Sequence, residues 1–319
     1  MLNLVKKRIR TKVEGMLDNI INTRMPKENE LYALREQLTI QNNLLAQMLA
    51  QNSFKNMPIP LSSTTDRIYT HTKDGHRIFL DMHDFHMTCH VLESGIWEEH
   101  VRYVFRKFLK PGARVIDVGA NVGLHSLYLG SLVGPNGKVY CFEPAPRTAS
   151  ILKTNIDLNG YNGWVHISEK AVCATNETRE FVYLPGQAGM SSFKATYGEV
   201  REKITVETTT LNDFFKDNMK IDLLKIDVES FEYEVLLGAK NLFDYNENLV
   251  VLMEYHPAFI RKTSGENKVN ELLAFFKERG YKLYTTSWPV EKMIRHEFDD
   301  PILRDNGFDL VFTKDTIIE

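Results

Sequence analysis

The stretch Arg114-Val-Ile-Asp-Val-Gly-Ala-Asn-Val-Gly-Leu-His125 decides the fold. Val115, Ile116 and Val118 make a short apolar, β-branched run that suits a strand buried on both faces, and the run breaks into Gly119-Ala-Asn-Val-Gly123. A strand entering a glycine turn and then a helix points free backbone N–H groups beyond the turn, and two glycines separated by three residues let the backbone approach a ligand without a Cβ in the way. Next comes Lys138-Val-Tyr-Cys-Phe142, which ends in Glu143, about 20 residues past the turn. A carboxylate at the tip of the second strand of a doubly wound sheet is placed to accept hydrogen bonds from both ribose hydroxyls of an adenosine-containing ligand.

The details of the turn narrow the ligand. A dinucleotide fingerprint, G-x-G-x-x-G, would need glycine where Asn121 and Leu124 stand, so NAD is disfavoured. Asp117-x-Gly119-x-x-x-Gly123 after a strand, with an acidic residue closing the next strand, resembles the binding loop of class I S-adenosylmethionine (SAM)-dependent methyltransferases. I-D-V-G-A-N-V-G at 116–123, C-F-E-P at 141–144, S-S-F at 191–193, T-L-N-D-F at 210–214 and L-L-K-I-D-V-E-S-F-E at 223–232 together resemble the FkbM family of methyltransferases, in the family's order, from about residue 65 to residue 319. One departure is visible: Ser230 stands where the family usually has glycine.

The resemblance implies a Rossmann-like α/β fold with a seven-stranded, mostly parallel sheet, and SAM as cofactor. It implies a cofactor site of Glu98, Asp117, Gly119, Asn121, Gly123, Glu143, Pro144 and Ala171. Glu98 stands where the family carries a G-x-x-E segment and would approach the methionine end of the cofactor; the competing reading is a surface glutamate on an amphipathic helix. Ala171 belongs to the tip of the third strand, which meets the adenine in such folds.

Composition sets the outer bounds. A chain of 319 residues with 43% hydrophobic and 25% charged side chains allows one large domain plus an appendage, or two domains. A net charge of −3 argues against a nucleic-acid binder that relies on a basic face. Cys89, Cys141 and Cys173 are odd in number, form no C-x-x-C, and read as reduced core residues of a cytoplasmic protein. No apolar run reaches the ~18 residues of a membrane span, and Lys6, Lys7, Arg8 and Arg10 interrupt any signal-peptide core.

Residues 1–13 alternate cations with Leu2, Leu4, Val5, Ile9 and Val13, which reads either as a helix on an anionic membrane surface or as a solvated helix packed on its neighbour. From Glu28 to Asn52, Leu31, Leu34, Leu38, Gln41, Leu45 and Met48 recur at spacings of three and four, the period of a coiled-coil seam of about three heptads. The expectation is a homo-oligomer joined through residues 1–55, against an intramolecular helical hairpin, with a methyltransferase domain over 56–319. The linker begins at Pro58.

Beyond it, Arg67 to Asp81 around Asp74-Gly75 reads as a β-hairpin that precedes the nucleotide domain and is expected to cover the cleft; then come Glu93-Ser-Gly-Ile-Trp-Glu98 and a helical stretch up to Leu109. A helix over 147–158 and a strand over 164–167 continue the βα alternation of a parallel sheet. Residues 173–209 read as an inserted hairpin with a loop near the substrate, in which Ser191 and Ser192 are loop residues. Asn267–Glu278 is an amphipathic helix. The strands beginning at Tyr281 and Phe308 close the sheet, joined by a charged loop over 288–307.

The chemistry is expected at the carboxyl ends of two strands, the edge where open α/β sheets bind ligands. Ile221–Ile226 delivers Asp227, Glu229 and Glu232, and Leu249–Met253 delivers Glu254 and His256. Clustered carboxylates repel one another, so Lys225, a metal ion or a shared proton should neutralise them; Glu232 reads as a helix-start residue. An alcohol must lose its proton as it attacks, so two routes stand open. In one, His256 is the base, with Glu254 or Asp227 orienting it; in the other, Asp227, Glu229 and Glu254 hold Mg²⁺ through oxygen ligands. His125, just inside the glycine turn, is a weaker candidate base, and its other reading is a capping or packing residue.

The reading is a SAM-dependent O-methyltransferase. Resemblance implies as acceptor a hydroxyl of a glycan, such as a surface polysaccharide or lipid-linked sugar, or of a secondary metabolite. A protein or nitrogen acceptor is the second reading, and a non-catalytic scaffold with this fold is the third.

Overall fold

In a computed structural model of the chain, residues 66–185, 187–194, 201–216, 219–287, 290–315 and 317 are described. The basic segment 1–13, the heptad seam and the linker at Pro58, and with them the oligomer and membrane-surface expectations, lie outside the described residues. No helix among the described residues is long and apolar enough to cross a membrane.

The described chain opens with β1 (Arg67–His71) and β2 (Arg77–Asp81), an antiparallel hairpin whose Gly75 sits at φ 83°. Two helices follow, α1 (Phe85–Ser94) and α2 (Glu99–Phe108). The first is capped by Asp84, whose carboxylate accepts from Met87 N at 3.3 Å. The sequence reading missed α1, because His86, His90 and Glu93 blur its apolar stripe. Alternation then runs β3 (Arg114–Val118), α3 (Leu124–Val133), β4 (Lys138–Phe142), α4 (Pro146–Leu158), β5 (Val165–Ser168). The insert forms a separate sheet of β6 (Ala171–Val172), β7 (Thr178–Tyr183) and β8 (Glu202–Thr209).

The second half holds α5 (Leu211–Phe214), β9 (Leu223–Ile226), α6 (Glu232–Leu237), α7 (Lys240–Tyr245), β10 (Val250–Tyr255), α8 (Pro257–Ser264) and α9 (Lys268–Lys277). It closes with β11 (Lys282–Ser287), β12 (Val290–His296), α10 (Ile302–Asp305) and β13 (Phe308–Thr313).

The main sheet has the order β12-β11-β13-β10-β9-β3-β4-β5. Neighbours from β5 to β10 are parallel, and β13 runs antiparallel between β10 and β11. This is the Rossmann-like α/β fold that the glycine turn predicts, with eight strands instead of seven. The extra strand is β12, read from sequence as part of a charged loop. It sits on the rim, and of its described side chains only Met293 is buried while Lys292, Ile294 and Arg295 are exposed, so no apolar alternation marks it.

The central strands are buried on both faces, as parallel strands covered by helices must be. Val115, Ile116, Val118, Leu223, Leu224, Ile226, Val251 and Met253 are all at most 1% exposed, each contributing about 1.5–3 kcal/mol. Cys89, Cys141 and Cys173 are free and buried.

Candidate active site

Strand β3 ends in Val118 and the chain turns at Gly119 (φ 81°), Asn121 (φ 48°) and Gly123 (φ 93°) before α3. What the two glycines make room for is protein. A Cβ on Gly119 would lie 1.8 Å from the carbonyl oxygen of Asp227, which crosses from the end of β9, and a Cβ on Gly123 would lie 2.6 Å from Leu152 Cδ1 on α4. The sequence reading assigned that space to a ligand; the neighbouring turn and helix claim it.

The same turn donates to Glu143. Asn121 N donates to Glu143 Oε2 at 3.0 Å and Ala145 N donates to Oε1 at 2.9 Å. Burial pushes the Glu143 carboxyl up to about 7, against the pull of these two amides, with Asp117 and Asp227 adding repulsion. Each carboxylate oxygen keeps a lone pair for a further donor, which fits a ribose diol. Pro144 and Ala145 follow, and Ala145 packs with Ala171, Phe181 and Tyr183 of the inserted sheet.

Asp117, expected among the cofactor ligands, has no exposed surface. Its carboxylate accepts from Ser126 Oγ at 2.6 Å and lies 3.5 Å from Lys225 Nζ. It ties the first turn of α3 to β9 and so braces the binding turn from beneath. The Lys225 ammonium stands between Asp117 and Asp227, 3.1 Å from the latter. Burial disfavours its charge, but these carboxylates and Glu98 raise it well above the ordinary lysine value.

The strands β9 and β10 bring the predicted chemistry together. Asp227, Glu229 and Glu254 offer carboxylate oxygens that all lie within 4.8 Å of one another. Burial first, and then the neighbouring carboxylates, push Glu229 up to about 10; burial and Asp227 push Glu254 up to about 8. Lys225 compensates Asp227 and leaves the other two crowded, which suits a site that receives a cation. Glu254 Oε1 lies 3.2 Å from His256 Nε2, and this contact lifts the His256 ring above its ordinary value. Gly307 presses against the other side of that ring, since a Cβ there would lie 2.3 Å from His256 Nδ1.

The turn after β9 is strained. Glu229 (φ 53°) and Ser230 (φ 76°) are consecutive left-handed residues without a glycine between them. Ser230 N donates to Glu232 Oε1 at 2.9 Å, and the Ser264 hydroxyl donates to Ser230 O at 3.3 Å. Glu232 is thus a helix-start residue closing its own turn, as expected. Burial pushes its carboxyl up to about 7.

Glu98, itself left-handed at φ 47°, faces the site rather than solvent: with Lys225, Asp227, Glu254 and Asp309 it lines one cavity. Its Oε2 lies 2.8 Å from His125 Nε2. Burial favours protonation, yet His125 and Lys225 outweigh it and hold the carboxyl below its usual value. Asp309 and His100, paired at 2.7 Å, escaped the sequence reading. The one available signal was a carboxylate inside the apolar run Phe308-Asp-Leu-Val-Phe, directly opposite Glu254 in the register of β10 and β13.

The insert packs beside the acidic turn. Ser191 Oγ accepts from Leu184 N at 3.0 Å, and Ser192 exchanges backbone bonds with Val182, so both are fixed structural residues. Phe193 packs edge-on against Phe181 and, at 5.2 Å between ring centroids, against Phe231, which joins the insert to the acidic turn.

The sequence matches the Methyltransferase FkbM domain family over residues 117–283, which runs from Asp117 to the start of β11. Methyltransferase sdnD of Sordaria araneosa is 30% identical over 177 residues, which cover 46% of this chain and 68% of that protein. The 31-O-demethyl-FK506 methyltransferase FkbM of Streptomyces tacrolimicus is 26% identical over 212 residues, covering 57% and 77%. The 2-O-methyltransferase NoeI of Sinorhizobium fredii is 26% identical over 148 residues, covering 41% and 59%.

Proposed function

The chain belongs to the FkbM family of SAM-dependent methyltransferases, and we propose that it methylates a hydroxyl group, on a glycan or on a secondary metabolite. The cluster of Asp227, Glu229 and Glu254 with His256 against Glu254 carries this reading, because a hydroxyl needs a base or a cation where an amine does not. Two relatives act on oxygen by name, FkbM of S. tacrolimicus and NoeI of S. fredii.

SAM supplies a methyl group activated by its sulfonium. Glu143 is the residue to hold the ribose hydroxyls, Asn121 and Gly119 shape the turn, and Glu98 is suited to the methionine ammonium. His256, aligned by Glu254 and by the Gly307 backbone, is the residue to accept the proton of the acceptor hydroxyl.

The crowding of Glu229 and Glu254 supports a second reading of the same reaction. Mg²⁺ on Asp227, Glu229 and Glu254 would supply charge that lowers the pKa of an acceptor hydroxyl, and both carboxyls would ionise around it.

The test is methyl transfer from tritiated SAM to a panel of sugar glycosides, lipid-linked sugars, polyketide alcohols and primary amines, with Mg²⁺ and with a chelator. Transfer to a hydroxyl acceptor is expected. Loss of transfer under chelation selects the cation, and its retention selects His256. Transfer confined to amines would overturn the O-methyl reading.

A further inference from the structure

Strand β2 pairs with β1 along one side, which leaves the N–H and C=O of Arg77 and Phe79 pointing outward from the hairpin. Two asparagines one helical turn apart meet them, Asn155 on α4 and Asn159 at its C-cap. Asn159 accepts from Arg77 N at 3.0 Å and donates to Arg77 O at 2.7 Å. Asn155 accepts from Phe79 N at 2.7 Å and donates to Phe79 O at 3.0 Å. A pair of side-chain amides thus stands in for a third strand. The hairpin, expected from sequence to cover the cleft, is docked along α4.

The two asparagines differ at one atom. The second donor bond of Asn155 goes to the carbonyl of Val122, at 2.8 Å, inside the turn between Asn121 and Gly123; the remaining bond of Asn159 returns to its own helix at Asn155 O. The side chain of Asn155 is fully buried, and both of its N–H donors and one of its two acceptor lone pairs are used. Val122 O belongs to the Val122–Gly123 peptide, two peptide units along the same turn from the Ala120–Asn121 peptide whose N–H holds Glu143.

We infer that Asn155 is a positioning residue for the SAM site: the docked hairpin fixes its amide, and the amide fixes the turn that orients Glu143. This deepens the cofactor assignment and rests on it. The hairpin then acts on the cofactor site through one buried amide.

The experiment is calorimetric titration of the full chain with S-adenosylhomocysteine, for wild type, Asn155→Ala and Asn159→Ala, with melting temperatures measured alongside. Both variants lose hairpin bonds, so both should melt earlier. Only Asn155→Ala should weaken binding, by about tenfold, the size of one lost buried hydrogen bond; Asn159→Ala should stay within about twofold. Equal weakening in the two variants, or unchanged affinity in Asn155→Ala, overturns the inference. If the alanine variant does not fold, the isosteric Asn155→Asp serves, since it keeps the acceptor and loses both donors: weakened binding is expected and unchanged affinity overturns the inference. Absence of binding by wild type would instead count against the cofactor assignment.

Discussion

The turn after β3 and the turn after β9 stand side by side on adjacent parallel strands, and both leave the right-handed regions of backbone space. The first does so with Gly119, Gly123 and a single asparagine, and its carboxylates are answered: Glu143 by two amides, Asp117 by Ser126 and Lys225. The second does so with Glu229 and Ser230 and leaves Glu229 and Glu254 crowded. The nucleotide end is therefore preorganised with its carboxylates paired and its sharpest turns on glycine. The chemical end stores strain and surplus charge, as functional sites commonly do.

Four measurements break or sharpen this contrast. Gly119→Ala should be the most damaging single change, because its Cβ meets the Asp227 carbonyl, a backbone atom that cannot swing aside. It should cost about 3 kcal/mol or more in urea unfolding and abolish S-adenosylhomocysteine binding; mild loss would mean the two turns can separate. His256→Ala should lower turnover about 100-fold with S-adenosylhomocysteine affinity unchanged. Wild-type activity should also climb as pH passes the raised value of His256. Unchanged turnover removes His256 from the chemistry and leaves the cation reading.

The third is a pH effect on stability. Glu229 and Glu254 titrate at about 10 and about 8, above the ordinary 4.5, so the folded chain holds their protons more tightly than the unfolded chain. Their contribution is complete below about 4.5 and is lost as pH rises through those folded values. Melting temperature should fall as pH rises from about 4.5 to about 10, and Glu229→Gln should flatten the slope; an unaltered slope would mean the crowding is relieved elsewhere. Smallest is Ser230→Gly, which should stabilise the chain by about 1 kcal/mol by releasing left-handed strain. A destabilised variant would show that the bonds at Ser230 outweigh the strain.

Much of this was legible in the sequence. The strand-turn-helix at 114–125, the carboxylate at 143 and the acidic run at 227–232 are local patterns, and the comparisons and fold agree with the family they resemble. What stayed hidden depends on contacts far apart in the chain. Asp117 reads as a ligand until its burial against Lys225 is seen, and His100 gains its partner 209 positions later. The Asn155 amide is one polar residue in an ordinary helix until the hairpin docks on it. Strand β12 escaped because an exposed rim strand carries no apolar alternation.

That rim strand has a consequence for the molecule among its own kind. A sheet ending in bare N–H and C=O groups is a template for a neighbour's strand and for aggregation. Here the last strand before solvent exposes Lys292 and Arg295, and its pairing with β11 shifts register between Thr285 and Ser287. A strand from another copy would have to bury two cations and follow an irregular edge. The feature that hid β12 from the sequence reading also keeps the sheet finite at eight strands.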